Sequence, residues 1–198
     1  MTLGLKRGSV RLVTHQPGWA EEYRAAAAGV ASVLTGIRPA VRIAHVGATA
    51  VPGLPAKPII DMAVGVADLA VVSECVAPLA GLGYTYLGDR AVREDHLFVR
   101  GPEHHRTVYL HIVHEGGEKW NAYLRFRDRL RADPELRDRY AAIKRDLARR
   151  HADDRPAYTA GKAAIIGEIL GSVAPHEKGL NHEIHEKNLN LFNHESHE

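Results

Sequence analysis

From Ile59 to Val66 the chain reads Ile-Ile-Asp-Met-Ala-Val-Gly-Val, an apolar run interrupted by a single carboxylate. With no alternation of polar and apolar residues, the run suits a strand buried on both faces, and such a strand requires a sheet with cover on each side. Asp61 is the anomaly. A buried carboxylate is unfavourable without a partner, so a metal, a proton to be moved or a set of structural hydrogen bonds must compensate.

The rest of the sequence supplies the sheet and its cover. Ser9–Val13 alternates as a short strand, and Pro17 precedes an alanine-rich helix running from Trp19 to near Gly36. Val41–Val46 reads as a strand, Leu69–Leu82 as a helix, and Gly83–Leu87, His96–Val99 and Thr107–Val113 as strands. Three helices follow, Lys119–Ala132, Pro134–His151 and Pro156–Val173, the second opened by Asp133 and Pro134, which suit an N-cap and the first helical position. Strands interspersed with helices, then consecutive helices, predict an α/β or α+β fold: a mixed sheet flanked by helices, with a helical C-terminal part. One domain is expected over residues 1–174. Residues 175–198, dense in His, Glu and Asn, read as a solvated tail whose histidines could chelate metal adventitiously.

Lys and Arg number 26 against 24 Asp and Glu, a formal charge of +2, so no nucleic-acid or membrane-surface partner is expected. Cys75 stands alone, which excludes an internal disulfide and fits a reducing compartment. Met1–Val13 lacks the apolar segment of a signal peptide, and no apolar run reaches the ~18 residues of a membrane span. The cytoplasm is the expected location.

Chemistry concentrates between His45 and Asp61. Gly47 ends a strand and permits close approach of backbone to a ligand, and a helical turn starting at Ala48 or Thr49 would offer amides to an anion. Pro52, Pro55 and Pro58 forbid regular structure in the loop that follows, and Lys57 adds a compact positive charge. His45, Asp61 and His111 lie on or at the ends of three strands; if their side chains converge, two histidines and a carboxylate suit iron, manganese or zinc, or metal-free acid–base work. His114, an odd number of residues from His111, points to the other face of an ideal strand. Each residue also has a plain structural role open to it: a turn for Gly47, a pairing of Asp61 with Arg42 or Arg106, core packing for His45 and His111. His104 and His105, beside Gly101-Pro102, are expected in an exposed hairpin.

The string His45-Val46-Gly47-Ala48-Thr49-Ala50-Val51-Pro52-Gly53-Leu54, followed by Ala56-Lys57-Pro58-Ile59-Ile60-Asp61, resembles the GrpB signature, H-I-G-S-T-[AS]-V-P-G-L-x-A-K-P-x-I-D. Agreement continues through Trp19, Gly83-Tyr84, His111, Phe126 to Arg131, Tyr140 with Lys144, and Tyr158 with Lys162, covering about residues 10 to 172. The resemblance implies a nucleotidyltransferase-like fold, in which a Gly-Ser turn holds a nucleotide triphosphate and strand carboxylates hold magnesium. In some bacteria such a domain is fused behind dephospho-CoA kinase. It also marks Arg127 and Lys144, and less firmly Tyr158 and Lys162, as positions that reach back to an anionic substrate.

The chain departs from the transferase pattern at three places. Ala48 replaces the phosphate-binding serine, Ala63 stands where a second carboxylate belongs, and His111 stands where a third acid is expected. Two-metal phosphoryl transfer needs several hard oxygen ligands, and Asp61 alone is evident. The expectation is therefore a small-molecule enzyme using acid–base or metal-assisted chemistry on an anionic substrate. Asp61, His111 and His45 form its centre, and Gly47, Thr49, Lys57, Arg127 and Lys144 hold the anion. The alternatives are a magnesium-dependent nucleotidyltransferase completed by Glu94 or Asp95, and a non-catalytic nucleotide- or partner-binding domain.

Overall fold

The computed structural model describes residues 3–37, 41–89 and 94–171; the tail expected over 175–198 lies outside them. Helix α1 (Trp19–Leu34) leads to β1 (Arg42–Val46), a 3-10 turn at Ala48–Ala50 and β2 (Ile60–Val66). Helix α2 (Val72–Gly81), β3 (Tyr84–Asp89), β4 (Asp95–Arg100) and β5 (Val108–His114) follow, then α3 (Glu118–Ala132), α4 (Pro134–Arg150), α5 (Arg155–Ala160) and α6 (Ala163–Leu170). The strands form one mixed sheet in the order β1-β2-β5-β4-β3. Only β2 and β5 run parallel; the other three pairings are antiparallel. This is an α/β fold of the expected kind.

The period-2 geometry of strands divides the sheet into two unlike faces. Ile60, Met62, Val64, Leu110, Ile112 and Phe98 pack with Trp19, Val30 and Leu34 of α1 and with Cys75 and Leu79 of α2. The opposite face carries Asp61 and Ala63 on β2 beside their register partners Tyr109 and His111 on β5. Over part of it lie Trp120 and Tyr123 of α3, against Val46, Ala63 and Val113. Phe126 and Leu130 of α3 join Leu136 and Tyr140 of α4 and Ile165 and Ile169 of α6 in a separate core reaching Val51 and Leu54. The continuous apolar character of β2 is thus explained by cover on both sides.

Local signals set the helix starts. Asp133 accepts from the Leu136 amide at 2.9 Å ahead of Pro134, and Asp154 accepts from the Ala157 amide at 3.0 Å. Strand β1 lies at the sheet edge, where its outward carbonyls are occupied: Tyr23 donates to Ile43 O at 3.2 Å and Arg127 to His45 O at 3.1 Å.

Two elements differ from expectation. Ser9–Val13 forms no strand, because Val10 N donates to Ala152 O and only Val13 pairs, with Ala56; the segment threads between loops instead of beside a strand. The last helix breaks at Gly161-Lys162, with α5 before and α6 after. At Gly161 a Cβ would fall 2.4 Å from Leu147 Cδ2, so glycine there permits close approach to α4, and Lys162 sits at the joint.

Candidate functional site

Antiparallel pairing of β1 and β2 sets Val46 opposite Asp61, and Gly47 reverses the chain immediately beyond. Gly47 has φ 67° and ψ −168°, a conformation essentially confined to glycine. A Cβ at Gly47 would come within 2.5 Å of Asp61 Oδ2. The missing side chain is therefore the space in which the carboxylate sits.

Asp61 faces a cavity also lined by Gly47, Thr49, Lys57, Lys144 and Lys162, with Tyr109, Tyr140 and Tyr158 among its walls. Four of the five residues expected to hold an anion thus meet Asp61 in one place. The space is about 60 Å³, well under the roughly 300–1,000 Å³ usual for ligand pockets. Lys144 is buried and donates to Pro55 O at 2.6 Å. Its Nζ lies 5.2 Å from the Tyr140 ring centroid, and Lys162 Nζ lies 4.5 Å from that of Tyr158.

These charges perturb one another. Burial lowers Lys144 to about 7, helped by Lys162 and Arg145 and opposed by Asp61. Burial likewise lowers Lys162 to about 7, with Arg155 adding to the effect and Asp61 opposing it. Burial raises the Asp61 carboxyl above its ordinary value, while His111, Lys57, Arg155 and Lys144 pull it down. Tyr140 and Tyr158 are both pushed up by burial, so each remains a neutral hydroxyl.

Arg127, the fifth residue expected to hold an anion, does not reach this cavity. It binds Asp128 through two hydrogen bonds, 2.7 and 3.0 Å, and lines a separate depression with His45 and Tyr23. His45 is opposite Met62 in the register, one residue out of phase with Asp61, and therefore projects from the other face of the sheet. There it stacks on Tyr23, with ring centroids 4.6 Å apart, and its Nε2 lies 3.0 Å from Thr49 Oγ1. Burial and the charges of Arg131 and Arg127 lower it to about 4. The expected convergence of His45, Asp61 and His111 does not occur.

His111 is buried behind the cavity, where Asp95 Oδ1 lies 2.8 Å from its Nδ1 and Tyr123 donates to Asp95 Oδ2 at 2.9 Å. His111 holds the Asp95 carboxyl below its ordinary range despite burial. Asp95, just outside the strand expected over His96–Val99, opens β4 instead, and its carboxylate is engaged by His111 and Tyr123. Among the described residues no group of three or more His, Cys, Asp or Glu is placed to hold a metal ion.

Comparison with known proteins accounts for this layout. A family model described as GrpB protein matches residues 9–172. The chain belongs to the GrpB family. A UPF0157 protein of Pseudomonas aeruginosa is 38% identical over 165 residues, 82% of this chain and 66% of that protein, so the chain spans just under two thirds of its length. A dephospho-CoA kinase of Mycolicibacterium paratuberculosis is 32% identical, over 81% of this chain but only 45% of that protein. The crystal structure of GrpB from Enterococcus faecalis superposes with TM-score 0.74 and 29% identity, over 81% of this chain and 95% of that one. Terminal uridylyl transferase 4 of Trypanosoma brucei, with bound dUTP, gives TM-score 0.50 at 14% identity, over 80% of this chain and 55% of that one, a likeness of fold alone.

This GrpB chain thus has a nucleotidyltransferase-like fold, with Ala48, Ala63 and His111 at the three positions singled out in its sequence. Ala63 is fully buried against Trp120 and Tyr123, and its neighbour on β5 is His111. One carboxylate among apolar and imidazole groups does not fit a two-magnesium centre. Tyr109 and Arg155 were the parts least legible beforehand, whereas Tyr140, Lys144, Tyr158 and Lys162 were marked through the resemblance. A signal existed, since Tyr-x-x-x-Lys occurs at Tyr140/Lys144 and again at Tyr158/Lys162, and both copies place a lysine on a tyrosine face in the same cavity.

Proposed function

We propose that the cavity under the Gly47 turn takes the charged end of a small anionic substrate and that Asp61 performs acid–base chemistry beside it. The observation that carries this reading is the meeting of Asp61 with Lys57, Lys144 and Lys162 in one cavity. Buried ammonium groups fix an anion and stabilise negative charge developing next to it, because the surroundings screen them poorly. A carboxyl raised by burial holds or releases a proton nearer neutrality than an exposed one does. His111, oriented by Asp95 and Tyr123, is placed to tune Asp61 by its charge.

The test is a turnover screen over phosphorylated and carboxylated small molecules, run on the wild type and on Asp61→Asn. The variant should lose about 10²–10⁴-fold in kcat, the usual contribution of a positioned acid–base group, with ligand affinity changed only a few fold. Turnover unchanged in Asp61→Asn would reject Asp61 as the reacting group. Binding without turnover in the wild type would favour the reading as a binding domain, which the single carboxylate supports.

A further inference from the structure

The free side of the edge strand β1 opens on a depression of about 350 Å³, walled by Tyr23 of α1 and by Trp120, Leu124, Arg127 and Arg131 of α3. It shares no lining residue with the cavity of Asp61. Ile43 and His45 turn their backbone groups towards it, since the Ile43 carbonyl accepts from Tyr23 and the His45 carbonyl from Arg127. In an antiparallel strand the N–H of a residue points the same way as its own carbonyl. The amides of Ile43 and His45 therefore also point outward, about 7 Å apart along the strand, and among the described residues neither meets an acceptor. The edge presents donors while its acceptors are already engaged. An added strand would use both, whereas a ligand that only accepts hydrogen bonds matches what is left.

Three guanidiniums and no carboxylate line the depression. Of the five N–H donors each arginine carries, Arg42 spends one, on Glu115 at 3.4 Å, Arg127 spends three, on Asp128 and the His45 carbonyl, and Arg131 spends two, on the Ala50 carbonyl. Every one of them has donors to spare. They also stand at two different places. Arg42 adjoins Ile43, with its guanidinium 5.4 Å from the Trp120 ring centroid. Arg127 is bonded at His45, where burial first, and then Arg131 and Arg127, lower the imidazole to about 4. Each outward amide thus has a cation beside it, and Ala44 and Leu124, both half-buried, supply apolar wall.

We propose that this depression is a second ligand site, separate from the Asp61 cavity, and that it takes a flexible dicarboxylate. One carboxylate sits on the Ile43 amide and Arg42, the other on the His45 amide and Arg127, with the methylenes between them along Ala44 and Leu124. The spacing of the amides selects two acidic groups over one, because the oxygens of a single carboxylate or sulfate are too close together to reach both. Guanidinium donors favour carboxylate at each end through their planar fork.

An amide-resolved NMR titration of the full chain with adipate, glutarate, butyrate and sulfate tests this, at low ionic strength where exposed charges are least screened. Adipate or glutarate is expected to shift the Ile43 and His45 amides together and to bind about tenfold or more tighter than butyrate, which can satisfy only one end. Sulfate, a dianion that cannot span the two amides, should bind no better than butyrate. The Arg42 side chain is 64% exposed, so Arg42→Ala should keep the fold. It should weaken the diacids about tenfold, the loss of one hydrogen bond to a charged group, and leave butyrate nearly unchanged. Asp61→Asn should leave diacid binding as it is.

Diacids that bind no tighter than butyrate or not at all, sulfate that binds as tightly as adipate, or shifts confined to Gly47, Thr49 and Lys57 would each overturn the proposal. Undiminished diacid affinity in Arg42→Ala would do the same. The wild-type shifts of Ile43 and His45 decide the matter should the variant fail to fold.

Discussion

Replacing Gly47 by alanine perturbs the turn and the carboxylate together. The backbone at φ 67° and ψ −168° costs a residue with a side chain about 1–3 kcal/mol. The new Cβ would also meet Asp61 Oδ2 at 2.5 Å and Asp61 Cβ and Cγ at 3.0 Å. Rotating the carboxylate relieves the first contact but not the one with Cβ, which is fixed to β2, so the turn and strand must separate. Adding an overpacking cost of about 1–3 kcal/mol gives a destabilisation of roughly 2–6 kcal/mol. At about 2–4 °C per kcal/mol for a chain of this size, the melting temperature should fall by ~4–24 °C. Urea denaturation with an unchanged m-value, alongside thermal melts, measures it. Gly167 in α6 is the control, since its added Cβ meets nothing within 4 Å and a mid-helix glycine is worse than alanine by about 0.5–1 kcal/mol. Gly167→Ala should therefore stabilise. A Gly47→Ala protein within about 0.5 kcal/mol of wild type, below any of the costs invoked, would refute the account of the turn.

Tyr123→Phe removes the hydroxyl that donates to the buried Asp95 carboxylate at 2.9 Å and should cost about 1.5–3 kcal/mol in chemical denaturation, the range for hydrogen bonds to charged groups; a loss near zero would mean another donor serves Asp95. His45, held at about 4 when folded against 6.5 ordinarily, binds a proton in the unfolded chain before it does in the folded one. Its contribution to stability is therefore complete above pH 6.5 and declines as the pH falls towards 4, by up to roughly 3 kcal/mol. The difference in stability between the wild type and His45→Gln, followed across that range, should show this slope, and a flat difference would contradict it.

The five strands of the sheet, though not the one expected at Ser9–Val13, and the Gly47-to-Asp61 segment were legible because their signals are local: an apolar run without alternation, a glycine where a strand ends, prolines that forbid pairing. Asp133-Pro134 located the start of α4 for the same reason. What the chain hid depended on pairing partners. His45 seemed a companion of Asp61 until the β1–β2 register put it one residue out of phase and on the other face. Asp95 looked like a loop residue because its signal, burial beside His111, exists only once β4 lies against β5. Lys162 carried no distinctive local pattern except its tyrosine four residues earlier, and its meaning comes from a helix break that Gly161 alone foreshadows. Arg127 was drawn away from the cavity by its neighbour Asp128 and the edge carbonyl of His45.

The cavity joins a floor made by residues 47–61 to walls contributed by residues 140–162. Its acid and two of its lysines are therefore separated by about half of the domain's chain, and closing so long a loop comes late in folding. All five strands precede α4 and α5 in the chain, so the sheet that carries Asp61 can pair before the buried lysines are in place. The same separation means that a partial opening of α5 and α6 from the sheet would dismantle the charge cluster while leaving β1 to β5 paired. Amide exchange in the presence of an anion should therefore slow most in residues 155–170, where ligand binding and the docking of the last helices are one event.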